Sequence, residues 1–264
     1  MYSRPNFFNM RKLSIFLLLS VLAFSCSKDK DPEPDVVLSD AVLKLNYDKT
    51  HQYTLTKGTE TVTGSTFKWS SSDTLIGVVN QSGKFTARRI GTTTVKAISS
   101  DGKATLESRV TIDPYSTLCI EPFKDFKATQ AAIKGKEKRT VVKEDTATIA
   151  YTGENAKIRG VQYFFTKNAL QSSILLFTES DPVLDEAVTF LSERYEFLGE
   201  ENGIYYLSDG KVVVGFLEDI NLGIMAFYIP YEPSGLRTAL PASEGGKILF
   251  KSKLRDIKAK FRRI

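Results

Sequence analysis

The chain has 264 residues, 42% of them hydrophobic, with 36 basic and 31 acidic side chains, two cysteines and one histidine. That length accommodates two domains, and so few cysteines and histidines exclude a disulfide-stapled scaffold and a cysteine/histidine zinc fold. The formal charge of +5 does not mark a nucleic-acid surface, because Arg4, Arg11, Lys12 and the eight basic residues of 247–264 supply the excess, leaving residues 26–246 with 25 basic against 30 acidic side chains.

In chain order, Arg11 and Lys12 precede an apolar run over 13–24, and Ser25 supplies a small residue before Cys26. A dozen apolar residues rise only about 18 Å as a helix, short of the ~30 Å hydrocarbon core, so the run reads as a cleaved secretion signal over 1–25. It resembles a bacterial lipoprotein signal, departing from that pattern at Ala23 and Phe24. The resemblance implies acylation of Cys26 and a membrane partner reached through that lipid. Residues 26–35 are charged and proline-punctuated, as an extended linker is. Short charged segments at this place are similar to the export signals of some Gram-negative surface lipoproteins, which implies an outer-membrane anchor on the cell surface. Cys119 is then left without a partner in the chain, and with His51 expected in a different domain it reads as a small buried hydrophobe.

Residues 36–113 alternate apolar and polar side chains, as in His51, Tyr53 and Leu55 against Gln52, Thr54 and Thr56, and glycines punctuate them at 58, 64, 83, 91 and 102. The spacing predicts a β-sandwich. The residues Phe67-Lys68-Trp69-Ser70-Ser71-Ser72-Asp73, Val78-Val79-Asn80, Ser82-Gly83-Lys84-Phe85-Thr86-Ala87 and Gly91-Thr92-Thr93-Thr94-Val95-Lys96-Ala97 resemble the bacterial immunoglobulin-like domain of group 2. The resemblance implies a seven-stranded sandwich of adhesins and surface-protein stalks, with no catalytic residue. Gly77 departs from it, standing where alanine is usual, and is expected only to loosen a strand. Trp69 and Phe67 alternate in step and should enter the core, while His51 is expected at the rim.

Residues 114–246 form a second domain, read as α+β: an antiparallel sheet with helices on one face, from a weak internal duplication of a helix followed by a meander. Phe123, Phe126, Gln130 and Ile133 predict one amphipathic helix ending near Gly135. A second should start with Asp181 as its cap and Pro182 in the first turn, carry a stripe of Leu184, Val188, Leu191, Tyr195 and Leu198, and close at Gly199. Strands are expected at 146–151, 160–166 and 172–178, then at 203–207 and 211–217 around the hairpin signal Asp209-Gly210, and at 222–229.

Several of these strands carry adjacent apolar residues, Phe164-Phe165, Leu176-Phe177, Tyr205-Tyr206 and Phe227-Tyr228, which put an apolar group on both faces of the sheet. Helices cover one face. The other needs the first domain, the tail, a second chain or a ligand, and Phe164, Tyr205 and Phe227 are the candidate binding residues for glycan or peptide. Residues 247–264 place Phe250, Leu254, Ile257, Phe261 and Ile264 at helical spacing among basic residues. This basic amphipathic tail is expected to dock on its own acidic body, with Lys258, Lys260, Arg262 and Arg263 as the contacts to a membrane or acidic partner in the other reading.

No GxSxG, HExxH, phosphate-binding glycine loop or CxxC occurs, so no catalytic motif, metal or organic cofactor is implied. The sequence reads as a lipid-anchored cell-envelope protein that binds glycan or a host surface and does not bind nucleic acid. Two alternatives stand beside it: an envelope-assembly lipoprotein facing the periplasm, and a small glycosidase built on two sequence-distant carboxylates.

Overall fold

A computed structural model describes residues 35–231. The signal, Cys26, and the tail with Lys258, Lys260, Arg262 and Arg263 lie outside the described residues.

The first domain is built from ten short strands: β1 (Val36–Leu38), β2 (Val42–Asn46), β3 (Thr50–Gln52), β4 (Leu55–Lys57), β5 (Glu60–Val62), β6 (Phe67–Ser71), β7 (Gly77–Val79), β8 (Lys84–Ala87), β9 (Gly91–Ser99) and β10 (Thr105–Asp113). They form a four-stranded sheet in the order β2-β10-β9-β6 and two three-stranded sheets, β1-β4-β5 and β3-β8-β7. Ten segments replace the expected seven because turns at Gly58 and Gly83, both with φ in the left-handed region, break the chain into strands of as few as three residues.

Alternation accounts for the core. Phe67 and Trp69 on β6 are 5% and 4% exposed, with Lys68 and Ser70 outward. The Trp69 ring stacks on Tyr53 at 5.7 Å, and its indole N–H donates to the carbonyl of Gly64 at 2.9 Å, so the one polar atom of the ring is satisfied inside the sandwich. His51 sits at the rim, half-buried, with Nε2 3.1 Å from Asp40 Oδ2 and its ring edge-on to Tyr53. Gly77 does more than loosen a strand. A β-carbon there would run into the ring of Phe85, which is fully buried, so the missing side chain makes room for that ring.

The second domain runs α1 (Gln130–Lys134), β11 (Val141–Glu144), β12 (Thr148–Thr152), β13 (Ile158–Thr166), β14 (Ala169–Phe177), α2 (Asp181–Ser192), β15 (Glu196–Glu201), β16 (Ile204–Ser208), β17 (Val212–Asp219) and β18 (Gly223–Pro230). The eight strands make one antiparallel sheet in the order β11-β12-β13-β14-β18-β17-β16-β15. Each half is thus a helix followed by a four-stranded meander, and the last strands of the two halves, β14 and β18, join them. The described chain is mostly β, with α1 only five residues long, so the expected α+β domain is better described as a sheet carrying one substantial helix.

Both helices fall short of expectation for local reasons. Ahead of α1, the Asp125 carboxylate takes the amide of Lys127 at 3.1 Å, and Thr129 caps the helix by accepting from the amide of Ala132 at 3.2 Å. These side-chain bonds compete with helix, so Phe123 and Phe126 pack on the core from an irregular segment. Ser180, not Asp181, occupies the N-cap position of α2, and the helix stops at Ser192. Tyr195 and Leu198 therefore leave the helical stripe. Gly199, expected to close the helix, is instead a strand residue with φ of 157° at a register shift between Phe197 and Gly199, a β-bulge.

Candidate functional site

Register divides the second sheet into two unlike faces. Tyr151, Val161, Leu175, Ala226, Phe216 and Tyr205 are cross-strand partners in one row, none more than 3% exposed. Val183, Leu184, Ala187, Val188 and Leu191 of α2 and the segment from Leu118 to Ala128 belong to the same core. Shifting every strand by one residue gives the other face, where Gln162, Ile174, Phe227, Gly215 and Tyr206 follow one another across five strands. Apart from the buried Gly215, these residues are half-buried. A β-carbon on Gly215 would collide with the Phe227 ring, so the ring lies across the glycine.

The three candidate binding residues are split by this division. Phe164 and Phe227 share the half-buried face, two strands apart and two residues out of step, which sets them about 12 Å from each other. Tyr205 is corrected: it faces the core and is 1% exposed. Its neighbour Tyr206 takes the place on the outer face, together with Ile174. Sequence parity shows that the two tyrosines point apart, and only the pairing Tyr205 with Phe216 decides which of them is inside.

On the core side, residues 114–129 are strapped down by buried ion pairs. Arg139 bridges Glu137 at 3.0 Å and Glu154 at 2.8 Å and donates to the carbonyl of Ile120 at 2.6 Å. Glu154 accepts from the amide of Ile120 at 2.7 Å, and Glu137 accepts from the Tyr163 hydroxyl at 2.7 Å. Burial works to raise the Glu154 carboxyl, but the hydrogen bonds from Arg139 and Ile120 outweigh it and hold the group below the usual glutamate range. Burial and then the hydrogen bond to Glu137 push the Tyr163 hydroxyl up. Tyr195 donates to Glu121, and Lys124 sits 3.0 Å from the same carboxylate. Cys119 lies beside this network, half-buried, its thiol pushed up to about 12 by burial first and then by the charges of Glu154 and Glu121. These carboxylates are engaged with cations and backbone amides that hold a segment in place.

The junction between the domains centres on Glu193, which follows α2 and is fully buried. Its carboxylate accepts from the amides of Tyr115 at 2.6 Å and Ser116 at 3.3 Å, and its carbonyl accepts from the amide of Ile90 in the first domain at 2.9 Å. Among the described residues no group of three or more histidine, cysteine, aspartate or glutamate side chains could hold a metal, and no helix is long and apolar enough to cross a membrane.

Residues 34–110 match the family model of the bacterial Ig-like domain (group 2), and this segment is such a domain. No curated protein matches the chain. Among solved structures, an intimin mutant of EHEC O157:H7 is similar at 14% identity over 52% of this chain and 96% of its own, with a TM-score of 0.23. Domains 5–6 of the S-layer protein SbsC are similar at 11% identity over 75% of this chain and 84% of theirs, with a TM-score of 0.26.

Proposed function

We propose that this protein is a lipid-anchored cell-surface protein of a Gram-negative envelope, acylated at Cys26, that binds glycan or a host surface rather than catalysing a reaction. The observation that carries the binding reading is the outer face of the second sheet, where Phe164, Ile174, Phe227 and Tyr206 stand half-buried on an eight-stranded platform. Aromatic rings gathered on one face of a sheet suit stacking on sugar rings or on the side chains of an extended peptide. The Ig-like domain serves as the stalk between the lipid and that platform, through the junction at Glu193. The glycosidase alternative finds no support in the buried carboxylates Glu137 and Glu154, whose side chains are 5% and 19% exposed and share Arg139.

Protease added to intact cells tests the address. Cleavage within the second domain that disappears in a Cys26→Ser variant is the expected result. Protection on intact cells, with cleavage only after the envelope is opened, would mean a chain facing the periplasm and would overturn the surface reading.

A further inference from the structure

A cavity of about 200 Å³ lies where the two domains meet, lined by Asp73, Leu75, Ile76, Arg89 and Ile90 of the first domain and by Arg194, Asp209 and Lys211 of the second. Arg89 is the unusual member. It is 6% exposed, and its backbone amide donates a hydrogen bond to the carbonyl of Ile76 at 3.0 Å. Its Nε donates to the carbonyl of Leu75 at 3.1 Å, while no described residue makes a hydrogen bond or ion pair with its two terminal nitrogens. A guanidinium carries five donors and stays charged, so one buried at the wall of a cavity with most of its donors unused is oriented for an acceptor from outside.

Among the described residues the ammonium of Lys211 makes no hydrogen bond or ion pair, whereas Arg194 is engaged by the carbonyl of Phe190 at 2.9 Å, by the Phe190 ring at 3.7 Å, and by the carboxylates of Glu193 at 3.4 Å and Glu121 at 3.9 Å. The two aspartates are occupied in turns: Asp73 Oδ1 accepts from the amides of Leu75 and Ile76, and Asp209 Oδ1 from those of Lys211 and Val212. With Glu196 also acting on Arg89 and Glu193 and Glu121 on Arg194, the charge around the cavity is mixed, and Arg89 and Lys211 are the lining cations whose donors stay available.

We infer that this cavity is a binding site for a small oxyanion, a carboxylate, sulfate or phosphate group, gripped by the Arg89 guanidinium with Lys211 beside it. Planar bidentate capture of an oxyanion is what an arginine fork does best. The cavity has room for the acid group of a uronic-acid sugar as well as for a free ion. Because residues of both domains line it, an occupied site would also tie the domains together. The inference stands apart from the sheet face, so its failure leaves the surface-binding reading untouched.

Calorimetric titration of the purified full chain in a non-ionic detergent tests it, with inorganic phosphate, galacturonate and galactose as probes. The expected result is binding of phosphate or galacturonate but not galactose, weakened about tenfold or more in Arg89→Gln. Preference for galacturonate identifies an acidic sugar as the ligand type, and preference for phosphate a free ion. If neither anion binds at about 10 mM, or if Arg89→Gln binds as the parent does, the site does not exist. Should Arg89→Gln fail to fold, Lys211→Gln on the exposed turn decides: weakened binding supports the site and unchanged binding overturns it.

Discussion

Gly77 illustrates how one residue's meaning depends on its neighbour across the sandwich. The position usually holds alanine in domains of this kind, and a methyl group there is ordinarily harmless. Here the Phe85 ring occupies the space, so Gly77→Ala should destabilise the first domain by about 1–3 kcal/mol, as overpacking a filled core does. Urea unfolding measures it, and an unchanged midpoint would show that the ring has another place to go. Cys119 gives a second prediction. With its thiol pushed up to about 12, only a minute fraction is thiolate at pH 7, so alkylation by iodoacetamide should be far slower than for an exposed cysteine until the chain is unfolded. Rapid modification of the native protein would contradict the burial assigned to it. At this scale the sequence was legible wherever alternation decides: Trp69 and Phe67 are inside because they share parity on a strand with polar partners. Tyr205 was not legible, because an adjacent pair of tyrosines offers two parities and only the partner strand selects one.

At the scale of elements, strands were easier to read than helices. The hairpin at Asp209-Gly210 and the strands on either side of it lie where turn chemistry places them, since Asp209 caps the amides of Lys211 and Val212 and Gly210 takes φ of 85°. The helical stripe over 184–198 ran too far because Tyr195 and Leu198 hold helical spacing by coincidence while pairing with β16 satisfies the backbone of 196–201. Over 114–129 the helical spacing of Phe123 and Phe126 misleads, because the helix begins only at Gln130. The position of that segment is fixed by Glu154, Arg139 and Glu137, which are dispersed in sequence and meet only in the folded sheet. That network makes a pH-dependent contribution with a definite sign. Glu154 is held below its unfolded value, so its stabilisation is complete above the ordinary glutamate pKa of about 4.3 and fades as pH falls through the lower folded-state value. Glu154→Gln should therefore flatten the acid side of the stability profile and leave the alkaline side unchanged. An acid side identical to that of the parent would remove Glu154 from the account.

The described residues combine an Ig-like domain with an eight-stranded sheet whose two faces differ in burial. One face is closed by α2 and the strapped segment, and the other keeps Phe164, Phe227, Ile174 and Tyr206 at partial exposure. The need for a cover on that second face was visible in the apolar pairs along the strands, while the row of residues that forms it required the register of five strands. The symmetry of two helix-plus-meander halves, joined at β14 and β18, sets the aromatic row near the middle of the sheet rather than at an edge. A binding surface placed there is backed on the opposite face by the buried row from Tyr151 to Tyr205. The central claim is that ligand is bound on this face. Binding of the purified chain to an array of bacterial and host glycans, compared with Phe164→Ala and Phe227→Ala, tests it most directly, with Ile220→Ala on the exposed β17–β18 turn as a control. Binding to a defined subset of glycans should fall about tenfold or more in either aromatic variant and stay unchanged in the control. Binding that survives both aromatic substitutions, or no binding by the parent chain, would contradict it.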